Sequence, residues 1–331
     1  MALGMAALPW TPDSVARAAT VSVQAASLDI SLAAAQRDAI GQPFHAKSGI
    51  ATRFTVWDGS PDTLRKVESR GGRRWTLVLM EDTSVPEACA ADLMVHAFPG
   101  GGDTAAGCGW AALQVRTILA WDRGRLDTPP NWTDFWDVAR HPGRRALRRD
   151  PRTTLEIALM ADGVAPQDVY PLLATPTGVA RAFRKLNQLR PYIVWWSTPD
   201  EAARILRSGS ALMASIPQGA VPVPGVSSGV APHGRSGTPA ERSFGIQSTQ
   251  SVAEGLSWGI VSGTPDRQVA QARELLAFAD QTAVRGDLLS RYPALAHDAT
   301  PDGVLQLDPV FWRANLAPLR KQFDAWLNAP S

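Results

Sequence analysis

The chain has 331 residues, 45 % of them hydrophobic, with 33 basic against 31 acidic side chains and a formal net charge of +2. That length exceeds what one hydrophobic core usually serves, so two lobes are expected, and the near-balance of charge gives no electrostatic reason for a nucleic-acid partner. No run of about 18 apolar residues occurs, so no membrane-spanning helix is expected.

Residues 1–10 resemble the back half of a secretory signal's apolar region, and Ala16-Arg17-Ala18 is an A-x-A-like cleavage site without the basic leader that should precede it. Residues 1–18 therefore read as a truncated signal peptide or as a frayed tail. From there, residues 20–25 alternate as a strand, and Ser27 to Asp29 form a polar turn into a helix over 32–40 that ends across 44–49. A second strand is expected over 51–57 and a helix over 61–69. The continuous apolar run 75–80 is of the buried parallel-strand type. It stops at Glu81-Asp82-Thr83-Ser84, four polar residues at the carboxyl end of a strand, where open α/β sheets bind ligands. Ser27 and Asp29 hold the equivalent place on the first strand.

The only cysteines, Cys89 and Cys108, leave open a disulfide, as in an exported protein, or two buried thiols. Gly100-Gly101-Gly102 lacks the surrounding residues of a phosphate loop and reads as a flexible connection. A long extended segment over 110–122 is placed to carry the chain between lobes, and 132–138 reads as a short helix capped by Asn131 or Thr133.

The clearest pattern lies over 142–219. Strands at 144–148, 192–196 and 211–216 alternate with helices that open at Asp150-Pro151, at Thr175-Pro176 and across 197–199. Asp150 is an N-cap with proline at the first helical position, and Gly163 is a stop signal. Strand, capped helix, strand is the pattern of right-handed crossovers in a sheet covered on both faces, so the fold class is α/β. A Pro-, Gly- and Ser-rich stretch to about residue 242 reads as a surface loop. Strands follow over 244–247 and 257–262, then helices over 266–280 and 309–327.

The chemistry legible in the sequence is that of binding. Five scattered histidines show no metal-ligand spacing, two cysteines make no C-x-x-C, and there is no G-x-S-x-G elbow, so no metal, cofactor or catalytic nucleophile is expected. Arg140, Arg144, Arg145, Arg148, Arg149 and Arg152 cluster, and read as a solvated surface. Acidic residues stand at strand ends in both halves: Asp29, Glu81 and Asp82 in the first and Asp150 in the second. Should the halves face each other, these carboxylates would offer charge-assisted hydrogen bonds to a cation, with Trp110 and Trp196 as aromatic walls. The alternatives are an N-cap at Asp150 and a helix-capping turn at Glu81 and Asp82.

Gly143 to Leu147, Leu155 to Val164, Arg181-Ala182-Phe183 with Leu186, Pro191 to Trp196, and Ser208-Gly209 with Met213 together resemble the spermidine/putrescine-type substrate-binding proteins of bacterial ABC importers. Residues 78–93, 108–122 and 255–265 are similar to the same family. The resemblance implies a two-lobed type 2 periplasmic binding protein fold, each lobe a mixed sheet flanked by helices, with a ligand cleft between them. Lobe 1 would comprise 19–121 and 255–300, and lobe 2 would comprise 122–254 and 301–331. It also implies a periplasmic monomer that closes on a small polar, amine-bearing solute and delivers it to a membrane permease. An enzyme or a receptor-linked sensor on the same fold are the alternatives. Carried over residue by residue, Asp150 agrees with an amine-holding carboxylate, whereas Thr153 stands where polyamine binders place a second acid. Pro217 and Gln218 stand in for an aromatic and an Asn, and Glu254 and Leu256 take the place of a Trp and an Asp. The expected ligand contacts are Ser27, Asp29, Glu81, Asp82, Trp110, Asp150, Trp196, Gln218 and Glu254.

Overall fold

The structure, a computed structural model, describes residues 23–70, 75–98, 107–222, 242–292, 294 and 303–329. The expectations for 1–18, for Gly100 to Gly102 and for most of the Pro-rich stretch lie outside the described residues.

The first half alternates strands β1 (Val23–Ser27), β2 (Thr52–Val56) and β3 (Leu77–Glu81) with helices α1 (Ile30–Gln36), α2 (Gln42–Ser48), α3 (Pro61–Ser69) and α4 (Val85–Ala90). Between α1 and α2 the backbone makes a π-helical turn over Arg37–Gly41, and Gly49, at φ 73°, ends the run in the left-handed region that glycine adopts without penalty. The long strand β4 (Gly109–Asp122) then leads to α5 (Trp132–Trp136), β5 (Arg145–Arg148), α6 (Pro151–Ala161), α7 (Val169–Leu173), α8 (Pro176–Leu189), β6 (Ile193–Trp196), α9 (Pro199–Arg207) and β7 (Met213–Pro217). Strand β8 (Phe244–Ile260) returns the chain to α10 (Asp266–Ala279) and α11 (Thr282–Arg291), and β9 (Leu305–Gln306) and α12 (Pro309–Asn328) close it. The two strands expected over 244–247 and 257–262 are one. The run between them continues as strand because β4 pairs on both sides of an irregularity at 248–251, Thr117 opposite Val252 and Leu119 opposite Gln247.

The strands form one sheet in the order β2-β1-β3-β8-β4-β7-β5-β6, with β9 beside β8. β1, β2 and β3 are parallel, as are β5, β6 and β7, which is the crossover pattern the sequence led one to expect. β4 and β8 run antiparallel and tie the two sets together. β3 pairs with β8 only over 256–260, and β7 pairs with β4 only over 117–121. Between those contacts lies a neck where Gln114, Val115 and Arg116 face Gly255, Glu254 and Ala253, flanked by register shifts at Ala111/Leu113 and Thr117/Leu119.

The buried apolar side chains sort the same way. Two clusters, built around Leu32, Phe44, Leu79 and Leu276 and around Trp57, Trp75 and Met80, belong to the first set of strands. Two others, around Phe135, Leu159, Leu186 and Trp312 and around Ile118, Leu206 and Ile216, belong to the second. The protein is thus a two-lobed α/β fold with helices on its sheets. Cys89 and Cys108 form a disulfide, which settles the alternative left open by the sequence, and His96 lies 3.8 Å from the Cys89 sulfur. No helix among the described residues is long and apolar enough to cross a membrane.

Candidate functional site

The carboxyl ends of β1, β3, β5, β6 and β7 open on one cleft of about 280 Å³. This is the edge of an α/β sheet where side chains from successive loops converge. The neck contributes Val115, Arg116 and Thr117 from β4 and Glu254 and Leu256 from β8. Helices α1, α6 and α9 begin at the cleft because each has a cap in extended conformation: Asp29 accepts from Leu32 N–H, Asp150 from Arg152 N–H and Thr198 from Glu201 N–H.

Six of the nine expected contacts line the cleft: Asp29, Glu81, Asp150, Trp196, Gln218 and Glu254. The other three are placed elsewhere. Ser27 is fully buried and its hydroxyl has no partner among the described residues. Asp82 is turned onto β8, where it accepts from the Ser257 hydroxyl at 2.7 Å. Its carboxylate occupies the space a Cβ at residue 255 would need, so Gly255 is required for that approach. Trp110 packs edge-on against Phe98 and lines a second cavity.

Arg140, Arg144 and Arg149 are exposed, as the solvated-surface reading of the cluster expects, but Arg145, Arg148 and Arg152 are not. Arg145 is fully buried, and its guanidinium donates to the carbonyls of Phe135, Gly143 and His141. Arg148, Arg149 and Arg152 line the cleft. Arg152 grips Asp150 through two bonds of 2.8 Å, then reaches the Thr83 and Ser84 hydroxyls at 2.9 and 2.7 Å and Glu81 at 3.0 Å. Arg148 meets the same Glu81 at 2.6 Å. Burial alone would raise Asp150, but Arg152 and Arg148 outweigh it and hold its carboxyl well below the usual carboxylate range. Glu81 is lowered for the same reason. Two of the acids assigned to an amine are therefore already neutralised by the protein's own guanidiniums.

Two other cleft acids are not. Asp29 accepts from Leu32 N–H at 2.7 Å and from the Tyr292 hydroxyl at 3.2 Å, with no cation in contact among the described residues. Burial, together with nearby Asp200, pushes it up to about 6. Glu254 accepts from the Thr83 hydroxyl at 2.6 Å, and its nearest guanidinium nitrogen, on Arg148, is 3.9 Å away. Burial and the charge on Glu81 raise it. The indole N–H of Trp196, on the same cleft, is buried without an acceptor among the described residues.

Several contacts cross from one set of strands to the other. Besides Arg152 and Arg148 on Glu81, Arg320 of α12 lies 3.3 Å from Glu87 of α4, and Asp200 accepts from Ile30 N–H. Tyr292 lies so close to residue 219 that only glycine fits, since a Cβ there would be 1.8 Å from the hydroxyl. At the start of α6 the backbone turns sharply. Thr153 sits at φ 65°, ψ −38°, an unfavourable region for a β-branched residue, and its hydroxyl is buried without a partner among the described residues.

Residues 39–285 match the family model described as bacterial extracellular solute-binding protein. The chain belongs to that family. As a solute-binding protein it captures a ligand and does not turn one over. It is 29 % identical over 341 residues to the gamma-aminobutyric acid-binding protein of Pseudomonas aeruginosa, spanning 95 % of this chain and 93 % of that one. Among solved structures, it is similar to the binding protein AgtB of Agrobacterium tumefaciens R10 in complex with agropinic acid. The TM-score there is 0.75, at 18 % identity, over 93 % of this chain and 98 % of that one. The binding protein MotA of A. tumefaciens B6 in complex with glucopine gives 0.74, at 22 % identity, over 92 % and 99 %.

Proposed function

We propose that this solute-binding protein captures a short zwitterion, an amino acid whose ammonium and carboxylate are separated by a few methylenes, and delivers it to an ABC permease. The observation that carries this reading is the division of charge within one cleft. Asp29 is a buried carboxylate with no cation in contact among the described residues, while exposed Arg149 follows β5 beside Arg148 and Arg152, whose charges Glu81 and Asp150 balance. An ammonium at Asp29 gains a charge-assisted hydrogen bond with an acid that burial otherwise disfavours. A carboxylate gains guanidinium partners. A diamine satisfies only one end. The gamma-aminobutyric acid-binding relative agrees with this solute class.

In this reading the protein is a periplasmic monomer. Its lobes, 19–121 with 255–300 and 122–254 with 301–331, close about the β4–β8 neck, and the contacts from Arg152 to Glu81, Thr83 and Ser84 hold the closed form. Solute shifts that equilibrium because it touches both lobes only when they are closed.

The test is a calorimetric titration with three four-carbon solutes: 4-aminobutanoate, putrescine and butanoate. The zwitterion is expected to bind at least tenfold more tightly than either of the others. Putrescine binding as tightly as 4-aminobutanoate would reject the proposal in favour of a polyamine carrier.

A further inference from the structure

Carboxylates and guanidiniums from both sets of strands meet where the ends of β3 and β5 approach the β4–β8 neck. Arg148 reaches Glu81 at 2.6 Å, and Arg152 reaches Glu81 at 3.0 Å and Asp150 at 2.8 Å. Every guanidinium nitrogen of Arg152 is engaged, by these two acids and by the Thr83 and Ser84 hydroxyls. Glu254 is the remaining carboxylate and has the poorest partners. It stands in the neck itself, opposite Val115 and only 5 % exposed. Its Oε1 accepts from the Thr83 hydroxyl, which itself accepts from Arg152, and its Oε2 lies 3.9 Å from the nearest Arg148 nitrogen. Each guanidinium is already matched by an acid it touches, Arg148 by Glu81 and Arg152 by Asp150, so an ionised Glu254 leaves the cluster one negative charge in excess. An enclosed cluster sheds such a charge by taking a proton, and the acid with the weakest contacts takes it. Burial and the charge on Glu81 accordingly raise Glu254, while Glu81 itself is lowered. The other charged groups near the neck are placed apart: Asp82 is turned onto Ser257, Arg320 meets Glu87, Arg149 is exposed and Arg116 stands opposite Ala253.

Given the lobe closure and the zwitterionic solute proposed above, on which this step rests, we propose that Glu254 takes up a proton from the surrounding buffer as the lobes close on solute. The proton adds to one carboxylate oxygen, and no other bond changes. In the open form Glu81 and Thr83 leave with one lobe and Arg148, Asp150 and Arg152 with the other, so water reaches Glu254 and it ionises as an ordinary acid. A group that holds its proton more firmly in the closed form favours that form at low pH and ceases to favour it as pH rises through its closed-state value. Capture is therefore helped by acid and release by alkali. A solute carboxylate on the guanidiniums that follow β5 competes for Arg148 and adds to the demand for the proton. Asp29 acts in the opposite sense, since an ammonium beside it drives its proton off; with that acid at about 6, its contribution fades above pH 7.

The test is calorimetric titration of 4-aminobutanoate at pH 7.5 in phosphate and in Tris, whose different ionisation enthalpies count the protons exchanged. The parent is expected to take up roughly half a proton or more per solute, and its dissociation constant to rise at least threefold from pH 7 to 8. Glu254→Gln keeps an acceptor for Thr83 and has no oxygen to protonate, so both effects should vanish. Should that variant fail to fold, carboxyl-carbon NMR of the parent reads the proton directly. One glutamate should titrate at higher pH once solute is added, whereas Glu156, which does not line the cleft, titrates alike with and without it. Binding without proton uptake, uptake that persists in Glu254→Gln, or no solute-dependent glutamate would each overturn the proposal. If 4-aminobutanoate does not bind at all, the solute class fails instead, and X-ray scattering from the solute-free protein decides the proton step. The radius of gyration should then grow from pH 6 to pH 9 in the parent, and a constant radius overturns it.

Discussion

Replacing Asp29 by asparagine separates two roles of one side chain. The amide keeps an acceptor for Leu32 N–H, so the α1 cap survives, and the Tyr292 hydroxyl has only to reverse its donation. What goes is the charge. Burial raises Asp29 from 3.8 to about 6, and at 1.36 kcal/mol per unit its ionisation costs the fold about 3 kcal/mol at neutral pH. Between those two pH values the native protein keeps a proton that the unfolded chain has released, so this acid makes stability fall as pH rises through the window. Asp29→Asn should therefore raise the unfolding free energy at pH 7.5 by about 1 to 3 kcal/mol, and by nothing below about pH 3.8, where both states are protonated. Affinity should move the other way. Removing the charged partner of a desolvated ammonium costs about 2 to 5 kcal/mol, which weakens binding by between roughly 30-fold and a few thousandfold. Urea unfolding at two pH values and calorimetric titration of 4-aminobutanoate read the two effects. A variant that binds as tightly as the parent, or one that is less stable at pH 7.5 with its α1 cap intact, would refute the assignment of Asp29 to the ammonium.

Three further outcomes follow from the same structure. Glu156 is fully buried, accepts from Tyr170 and Trp312 and is raised by burial from 4.5 to about 7. It thus lowers stability by about 3 kcal/mol as pH rises through that window, so the difference between parent and Glu156→Gln curves should grow from pH 4.5 to 7 and then level; parallel curves would contradict this. Thr153→Gly relieves a positive φ and removes an unpaired buried hydroxyl, and should stabilise the protein by about 1 to 2 kcal/mol in urea unfolding; a loss of stability would show that the Thr153 side chain has a packing role. Reduction of Cys89–Cys108, 19 residues apart in sequence, should lower the unfolding free energy by about 3 kcal/mol, and an unchanged midpoint would remove the bridge as a source of stability.

Much of the second lobe was legible because its signals are local. Asp150-Pro151, Thr175-Pro176 and Thr198-Pro199 each pair a cap with a proline at the first helical position, and the structure starts α6, α8 and α9 there. β8 was misread as two strands because its glycines and polar residues look like a break. Gly255 instead makes room for Asp82, and β4 pairs with the strand on both sides of the polar run. The short β9 and the helix α11 carry no comparable local signal and take their places through contacts distant in sequence, such as Leu305 on Val252.

The candidate site divides similarly. That acids at strand ends gather in a cleft follows from topology, and Asp29, Glu81 and Asp150 do so. That Asp150 and Glu81 are consumed by Arg152 and Arg148 does not, since it depends on two guanidiniums folding back across the cleft. Arg148, Arg149 and Arg152 flank Asp150 at the same strand end, so the position that brings the aspartate to the cleft brings these arginines there too. Trp110 is separated from the cleft residues by the irregular register between Ala111 and Leu113, which no residue pattern announces.

The most direct measurement is a crystal structure of the protein with 4-aminobutanoate. The account predicts the solute between the lobes, its nitrogen about 3 Å from the Asp29 carboxylate and its carboxylate on the guanidiniums that follow β5. A solute lying the other way round, or bound outside this cleft, would contradict it.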